Sequence, residues 1–202
     1  MVMVTVYVLT LDQRASRRAE DLVPGLLDVL NIRRSRDGLL RKFERTAGDE
    51  VQGVLSSPAA VVGIVADLIR FDSWNVGLGI GAVVEPLPRS TRAGRGAAFM
   101  HAREAVTKAK SSAHHVNVAG DDPRRAEQVE TVLWLLATVL RRRSERGWEV
   151  ADLLADGLTR RDVGEKLGIS QSAVSQRVQA AGVVEEQRAR VLAAQLLGGD
   201  AG

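Results

Sequence analysis

Gln171, Ser175 and Gln179 recur at i, i+4 and i+8 in the segment QSAVSQRVQ, flanked by Ser172 and Gln176. On a helix this spacing puts them on one face and leaves Val174 and Val178 to point inward. The stripe is uncharged and rich in hydrogen-bonding groups. A glutamine amide pairs bidentately with adenine N6/N7 and a serine hydroxyl serves either base edge, so the stripe has the chemistry of major-groove readout. Arg160, Arg161 and Arg177 stand close by in sequence and would hold phosphates, which fixes register rather than sequence. The rival reading is a plain three-helix bundle whose Gln/Ser face is merely solvated.

A second set of residues suits metal chemistry. Asp12 falls at the end of an apolar run and Asp49 in a turn-forming stretch, and paired carboxylates hold Mg²⁺ against phosphates. Each also has a local explanation, since Asp49 after Gly48 suits a hairpin turn and Asp12 suits a strand end. His101, His114 and His115 include no i, i+4 pair and give little support to a metal site. Asn117 sits near a strand end, where it either touches a ligand or serves the backbone. Trp134 and Trp148 read as core and domain-junction residues respectively.

These side chains need elements to position them. The opening VMVTVYVLTL, rich in β-branched residues, reads as a buried strand ending at Leu11-Asp12. Leu22, Leu26, Leu27 and Leu30 give Arg18 to Leu30 a helical spacing. Phe43 to Leu55 reads as a hairpin around Ala47-Gly48-Asp49-Glu50, and Ala59 to Arg70 as a helix after Pro58. From Trp74 to Val84 glycines alternate with apolar residues, the pattern of a strand that another element approaches closely. Ala97 to Lys110 reads as a helix and His115 to Ala119 as a short strand. The order βαββαβαβ implies a sheet with helices layered on one face, an α+β arrangement to about residue 121.

After Gly120-Asp121-Asp122-Pro123 the pattern turns helical, with Pro123 at a helix start. Val129, Val132, Leu133, Leu136, Val139 and Leu140 form a stripe at 3.6-residue spacing that must be covered, preferably within the chain. From 150 to 183, three short apolar faces can share one small core: Leu153, Leu154 and Leu158; Val163 and Leu167; Ile169, Val174 and Val178. Thr159 with Asp162 makes a shortened capping box, Gly168 supplies a turn with positive φ, Ser170 caps the next helix and Gly182 ends it. The domains implied are 1–121 (α+β), 122–147 (a connecting helix) and 148–202 (DNA binding), with only the tail from Gly198 to Gly202 expected to be disordered.

Composition sets the outer bounds. The chain has 202 residues, 45% of them hydrophobic and 26% charged, which suits a folded globular protein. With no cysteine, disulfides and thiol chemistry are excluded, and a cytoplasmic location is the default expectation. No apolar run approaches a membrane span, and the opening lacks the basic and small-residue marks of a signal peptide. A net charge of +3 says little about partners. The clustering of Arg141, Arg142, Arg143 and Arg146 just ahead of the Gln/Ser stripe says more.

Two resemblances extend this reading. GEKLGISQSAVSQR, with Gly164 where alanine is usual, resembles the helix-turn-helix of bacterial regulators of the sigma-factor region 4 and LuxR type. Separately, Asp12-Gln-Arg-Ala-Ser16-Arg17 resembles the start of the SatD family, and Ala47-Gly48-Asp49-Glu50-Val51 with Gln52-Gly53 its "GDEFQG" element. Gly79-Ile80-Gly81 resembles its "GIG" strand, and Gly96-Ala97-Ala98-Phe99 with Ala102-Arg103-Glu104-Ala105 its "GPAF...AREA" helix. That family is similar in outline to class III nucleotide cyclases and GGDEF domains. The resemblance implies a ferredoxin-like palm, metal binding by Asp12 and Asp49, and a phosphate-steadying role for Arg103. Phe99 stands where cyclases carry an asparagine, Ala47 where the GGDEF motif has its first glycine and Val51 where it has phenylalanine; these departures argue against catalysis.

The reading is a cytoplasmic, bacterial-type transcription regulator. Double-stranded DNA is its partner, and a second copy of the chain or an additional contact surface is expected because one helix-turn-helix binds weakly. Its cyclase-like domain senses a small ligand, a nucleotide with Mg²⁺, or mediates assembly. The alternatives are a nucleotide cyclase or nucleotidyltransferase with an accessory DNA-binding domain, and an interaction module whose polar stripe contacts protein.

Overall fold

The computed structural model describes residues 5–16, 20–33 and 38–198. Arg17 of the SatD-like start, Arg18 at the expected helix start and all of the expected tail except Gly198 lie outside the described residues. The elements are β1 (Val6–Gln13), α1 (Val23–Asp28) continued by a π-helical turn (Val29–Arg33), β2 (Leu39–Ala47), β3 (Glu50–Leu55), α2 (Pro58–Phe71) and β4 (Trp74–Gly81). A 3-10 turn (Thr91–Ala93), α3 (Ala97–Ala109) and β5 (Val116–Gly120) follow. The chain continues with α4 (Pro123–Arg141), α5 (Glu145–Ala155), α6 (Arg160–Leu167), α7 (Gln171–Ala180) and α8 (Val183–Gly198). This is an α+β fold on one mixed sheet of order β2-β3-β1-β4-β5, antiparallel except for the β4–β5 pair.

Helices cover both faces of the sheet, not one as expected. Tyr7, Leu9 and Leu11 of β1 with Val76, Leu78 and Ile80 of β4 pack into a core with α1, α2, α4 and α8. Val6 and Val8 turn the other way, toward Ala98, Phe99 and Ala102 of α3. The run VYVLTL is buried on both faces, which is why it lacks the polar alternation of a strand with one wet side.

The glycines of β4 make room for α3. A Cβ at Gly77 would lie 2.2 Å from the backbone nitrogen of Val106, and one at Gly79 would lie 2.1 Å from the carbonyl oxygen of Ala98. The close approach expected from the glycine alternation is therefore made by α3. The strand itself ends at Gly81, three residues earlier than expected. The first helix starts later than expected, at Val23, with Pro24 in its first turn.

The stripe of α4 is covered within the chain. Val129, Leu133, Leu136, Ala137 and Leu140 are buried on the sheet layer together with Ala193 and Leu197 of α8. The terminal carbonyls of α8 would otherwise be orphans. The Tyr7 hydroxyl donates to the Leu197 carbonyl at 2.6 Å, and Arg125 of α4 donates to the carbonyls of Leu196 and Leu197. Burial pushes the Tyr7 hydroxyl above its usual pKa, with the charge of Arg125 opposing, so the tyrosine stays a donor. Thus α8 leaves α7, runs back along the sheet layer, and ends tied to the first strand.

A separate small core lies among α5, α6 and α7: Val150, Ala151, Val163, Val174, Val178, Ala181 and Val183. The expected caps are present. Thr159 Oγ1 accepts from the Asp162 N–H at 3.2 Å while the Asp162 carboxylate accepts from the Thr159 N–H at 2.9 Å, and Gly168 adopts φ 64. Ser170 Oγ accepts from the Ala173 N–H at 3.2 Å and starts α7.

Candidate nucleic-acid interface and ligand cleft

With Val174 and Val178 held in the small core, the remaining faces of α7 turn outward. Gln171, Ser172, Ser175, Gln176 and Gln179 are all exposed, as is the capping Ser170. The three arginines named from sequence stand differently. Arg160 is exposed and makes no ion pair among the described residues, Arg161 pairs with Glu165 at 3.0 Å, and Arg177 pairs with Glu149 at 3.3 Å. Both pairs are surface pairs worth little, so either arginine can exchange its carboxylate for a phosphate at small cost. The interaction inside the capping box, first the Thr159 hydroxyl and then its N–H, holds the Asp162 carboxyl below its usual pKa and fixes its charge at the α6 N-terminus.

Of the arginine cluster ahead of this unit, two members are structural. Arg143 has 1% of its side chain exposed, donates to the Ala181 carbonyl at 2.8 Å and pairs with Glu186 at 2.7 Å. Its guanidinium also lies over the Trp148 ring at 4.3 Å, and that of Arg70 lies over the same ring at 4.0 Å. Arg70 in turn grips Asp152 through two bonds of 2.6 and 2.8 Å. Trp148 thus helps fasten α5 to α2 and to the start of α8. Arg141 pairs with Asp72, and Arg142 and Arg146 remain exposed.

The carboxylates singled out for metal lie at one end of the sheet. Asp12 Oδ2 accepts from Lys110 Nζ at 2.7 Å and its Oδ1 from Asn75 Nδ2 at 3.2 Å, so an ammonium already answers its charge. Directly opposite Asp12 on β3 is Glu50, whose carboxylate accepts from the Thr46 hydroxyl, while Asp49 sits one residue back in the turn. Among the described residues no group of three or more His, Asp or Glu side chains could hold a metal ion. Of the histidines, His101 meets Asp121 at 2.9 Å and His115 meets Asn75 at 3.1 Å, while the His114 ring lies beside Trp134 at 5.7 Å with its Nδ1 unpartnered among the described residues. Asn117 donates to Glu130 at 2.6 Å, and burial pushes that glutamate's pKa up.

Arg103 lies in a cleft of about 390 Å³ beside α3, with Arg92, Arg95, Gln52, Phe99 and Met100. Arg103, Phe99 and Gln52 stand in the motifs quoted from the sequence, whereas Arg92 and Arg95 join them only through the fold. Their signal was the arginine and glycine alternation of Arg92-Ala93-Gly94-Arg95-Gly96, directly before α3.

The model of the SatD family matches residues 13–197, most of the chain. The protein belongs to the SatD family. No curated protein and no solved structure matches it. The SatD match runs through the helical half as well as the sheet, well beyond the stretch in which the sequence resemblance was found. No helix among the described residues is long and apolar enough to cross a membrane.

Proposed function

We propose that this SatD-family protein is a sequence-specific DNA-binding transcription regulator acting in the bacterial cytoplasm. In this reading α6 and α7 form a helix-turn-helix and α7 enters the major groove. The observation that carries it is the exposed, uncharged stripe of Gln171, Ser175 and Gln179 on a helix whose opposite face is locked into its own small core. A solvated surface helix more commonly carries charge; a face that must read bases needs neutral donors and acceptors. Arg160, Arg161 and Arg177 contact phosphates, and a second copy of the chain supplies a second half-site.

The sheet layer then acts as a ferredoxin-like, cyclase-like domain that senses a nucleotide or organises assembly. A divalent ion there would be held by Asp12 and Asp49, with Lys110 giving up its place on Asp12. Arg103 would hold phosphate, and Phe99 beside it denies the polar contact that catalysis would need. A ligand regulates only if it binds two arrangements of the DNA-reading helices with different affinity.

A genomic-fragment pull-down with the full chain, repeated with and without a panel of nucleotides, tests both halves. Recovery of a discrete set of fragments, with an apparent affinity that falls steeply as salt rises, is expected. Recovery of random fragments only, or of none, contradicts the reading. Pyrophosphate release from ATP or GTP that is abolished by Asp49→Asn would replace it with the enzyme alternative.

A further inference from the structure

The cleft beside α3 gathers three arginines that lack a partner. Elsewhere on the described surface some arginines, among them Arg14, Arg45, Arg161 and Arg190, are answered by carboxylates, and others, such as Arg160, are exposed and unpaired. Arg92, Arg95 and Arg103 line one cleft, and none of the three guanidiniums has a hydrogen bond or ion pair with a described residue. The nearby carboxylate of Glu44 is spent on shaping the loop. Its Oε1 accepts from the Ser90 and Thr91 hydroxyls at 2.5 and 2.7 Å and from the Arg92 N–H at 3.1 Å. Burial works against its charge, but these bonds outweigh it and hold the carboxyl below its usual range, so Glu44 stays an acceptor clamping the turn.

The backbone that carries Arg92 and Arg95 is fixed by close packing. A Cβ at Gly94 would lie 2.0 Å from the Phe99 ring, and Gly96, with φ +125, would press a Cβ onto Val83 at 2.7 Å. The arginine-bearing loop therefore lies flat on Phe99 and on the exit of β4, as only glycine allows. Phe99 and Arg103 are one turn apart on α3, and the helix N-terminus at Gly96 opens into the same space, adding its partial positive charge. Gln52 is buried at the cleft wall, its amide fixed by donation to Thr10 at 2.9 Å. A volume of about 390 Å³ falls in the range of small-molecule sites, and unpaired guanidiniums on a concave wall concentrate positive potential.

We propose that this cleft is a metal-independent site for a small polyphosphorylated ligand, its phosphates held by Arg92, Arg95 and Arg103. Guanidinium forks bind phosphate bidentately, and three of them match the charge of a nucleoside diphosphate and offset most of that of a triphosphate without a cation. The site deepens the sensing half of the proposed function and rests on that half for its regulatory meaning, though its binding is measured independently of DNA.

Calorimetric titration of the full chain with inorganic tripolyphosphate in EDTA tests it, with ATP and GTP as parallel arms. Saturable one-to-one binding is expected, weakened about tenfold or more by Arg95→Gln with Arg103→Gln and changed less than twofold by Arg188→Gln on the exposed side of α8. The thermal midpoint of each variant reports folding. Nucleotides binding more tightly than tripolyphosphate would assign the ligand a base; equal affinities would assign a bare polyphosphate. No binding in EDTA, binding that appears only with Mg²⁺, or binding untouched by the double variant overturns the proposal. So does loss of duplex affinity in that variant without any tripolyphosphate binding, which would make the cleft a DNA surface. Tripolyphosphate binding in a protein that recovers no specific fragments would leave this site standing and remove the regulator reading.

Discussion

Two groups of arginines in this molecule differ in what answers them. At the junction between the sheet layer and the small helical core, Arg70 meets Asp152, Arg143 meets Glu186, and both guanidiniums lie over Trp148. In the cleft beside α3, Arg92, Arg95 and Arg103 meet no acid among the described residues. Charge that is paired across a junction fastens elements together; charge that is gathered in a concavity and left unpaired fastens nothing among the described residues. Net charge conceals this difference, and partnering reveals it.

The comparison is broken most severely at Arg143. Arg143→Ala removes a guanidinium almost wholly out of solvent, together with its bond to Ala181 and its contact with Trp148. A loss of about 3 kcal/mol in urea unfolding is expected, the low end for a broken buried pair, because Arg190 still answers Glu186 at 2.6 Å. A cost below about 1 kcal/mol would show that the junction is not fastened there.

A smaller effect is expected at Asp72, which receives both Arg14 at 2.9 Å and Arg141 at 2.7 Å but is about half exposed. Asp72→Asn keeps the left-handed C-cap of α2 and removes only charge, so the cost is at most about 1 kcal/mol after screening. The same neighbourhood sets a pH dependence. Burial, and then the charge of Arg141, lowers the pKa of His114; burial, then Arg14 and Arg141, lowers that of His115, with Asp72 opposing. In the unfolded chain both protonate near 6.5, and in the folded chain only at lower pH, so protons bind the unfolded state preferentially in between. Stability is therefore full above about pH 6.5 and declines as pH falls toward the lowered values, which a denaturation series between pH 7.5 and 5 checks.

The smallest effect on stability belongs to the cleft. Arg92→Gln or Arg95→Gln is expected to move unfolding by no more than about 0.5 kcal/mol, as for surface positions that hold nothing in place. A large destabilisation would place these arginines with those of the junction.

Much of the fold was legible because its signals are local. The caps at Thr159 and Ser170, the turn at Gly168 and the inward valines of α7 depend only on spacing along one or two helices. So did the order of strands and helices up to β5. The two-faced burial of the sheet was written in β1, whose unbroken apolar run has no wet side, yet the one-sided layering was inferred from element order instead. What stayed hidden depends on residues far apart in sequence. Arg143 is indistinguishable in sequence from Arg141 and Arg142 beside it, and only the return of Glu186 on α8 makes it a clamp. Gln52, Arg92 and Arg103 come from a strand, a turn and a helix, and their meeting is a property of the sheet order. The same holds for Lys110 on Asp12, a pairing across most of the sheet layer's length.

The regulator reading requires that α7 contacts bases. Gel-shift titration of a recovered fragment against a scrambled duplex, with the wild-type chain and with Gln171→Ala combined with Gln176→Ala, tests it most directly. The variant is expected to keep the weak, salt-sensitive binding to both duplexes and to lose the preference for the recovered fragment, each bidentate contact being worth about 1–3 kcal/mol. An unchanged preference in a folded variant would contradict it.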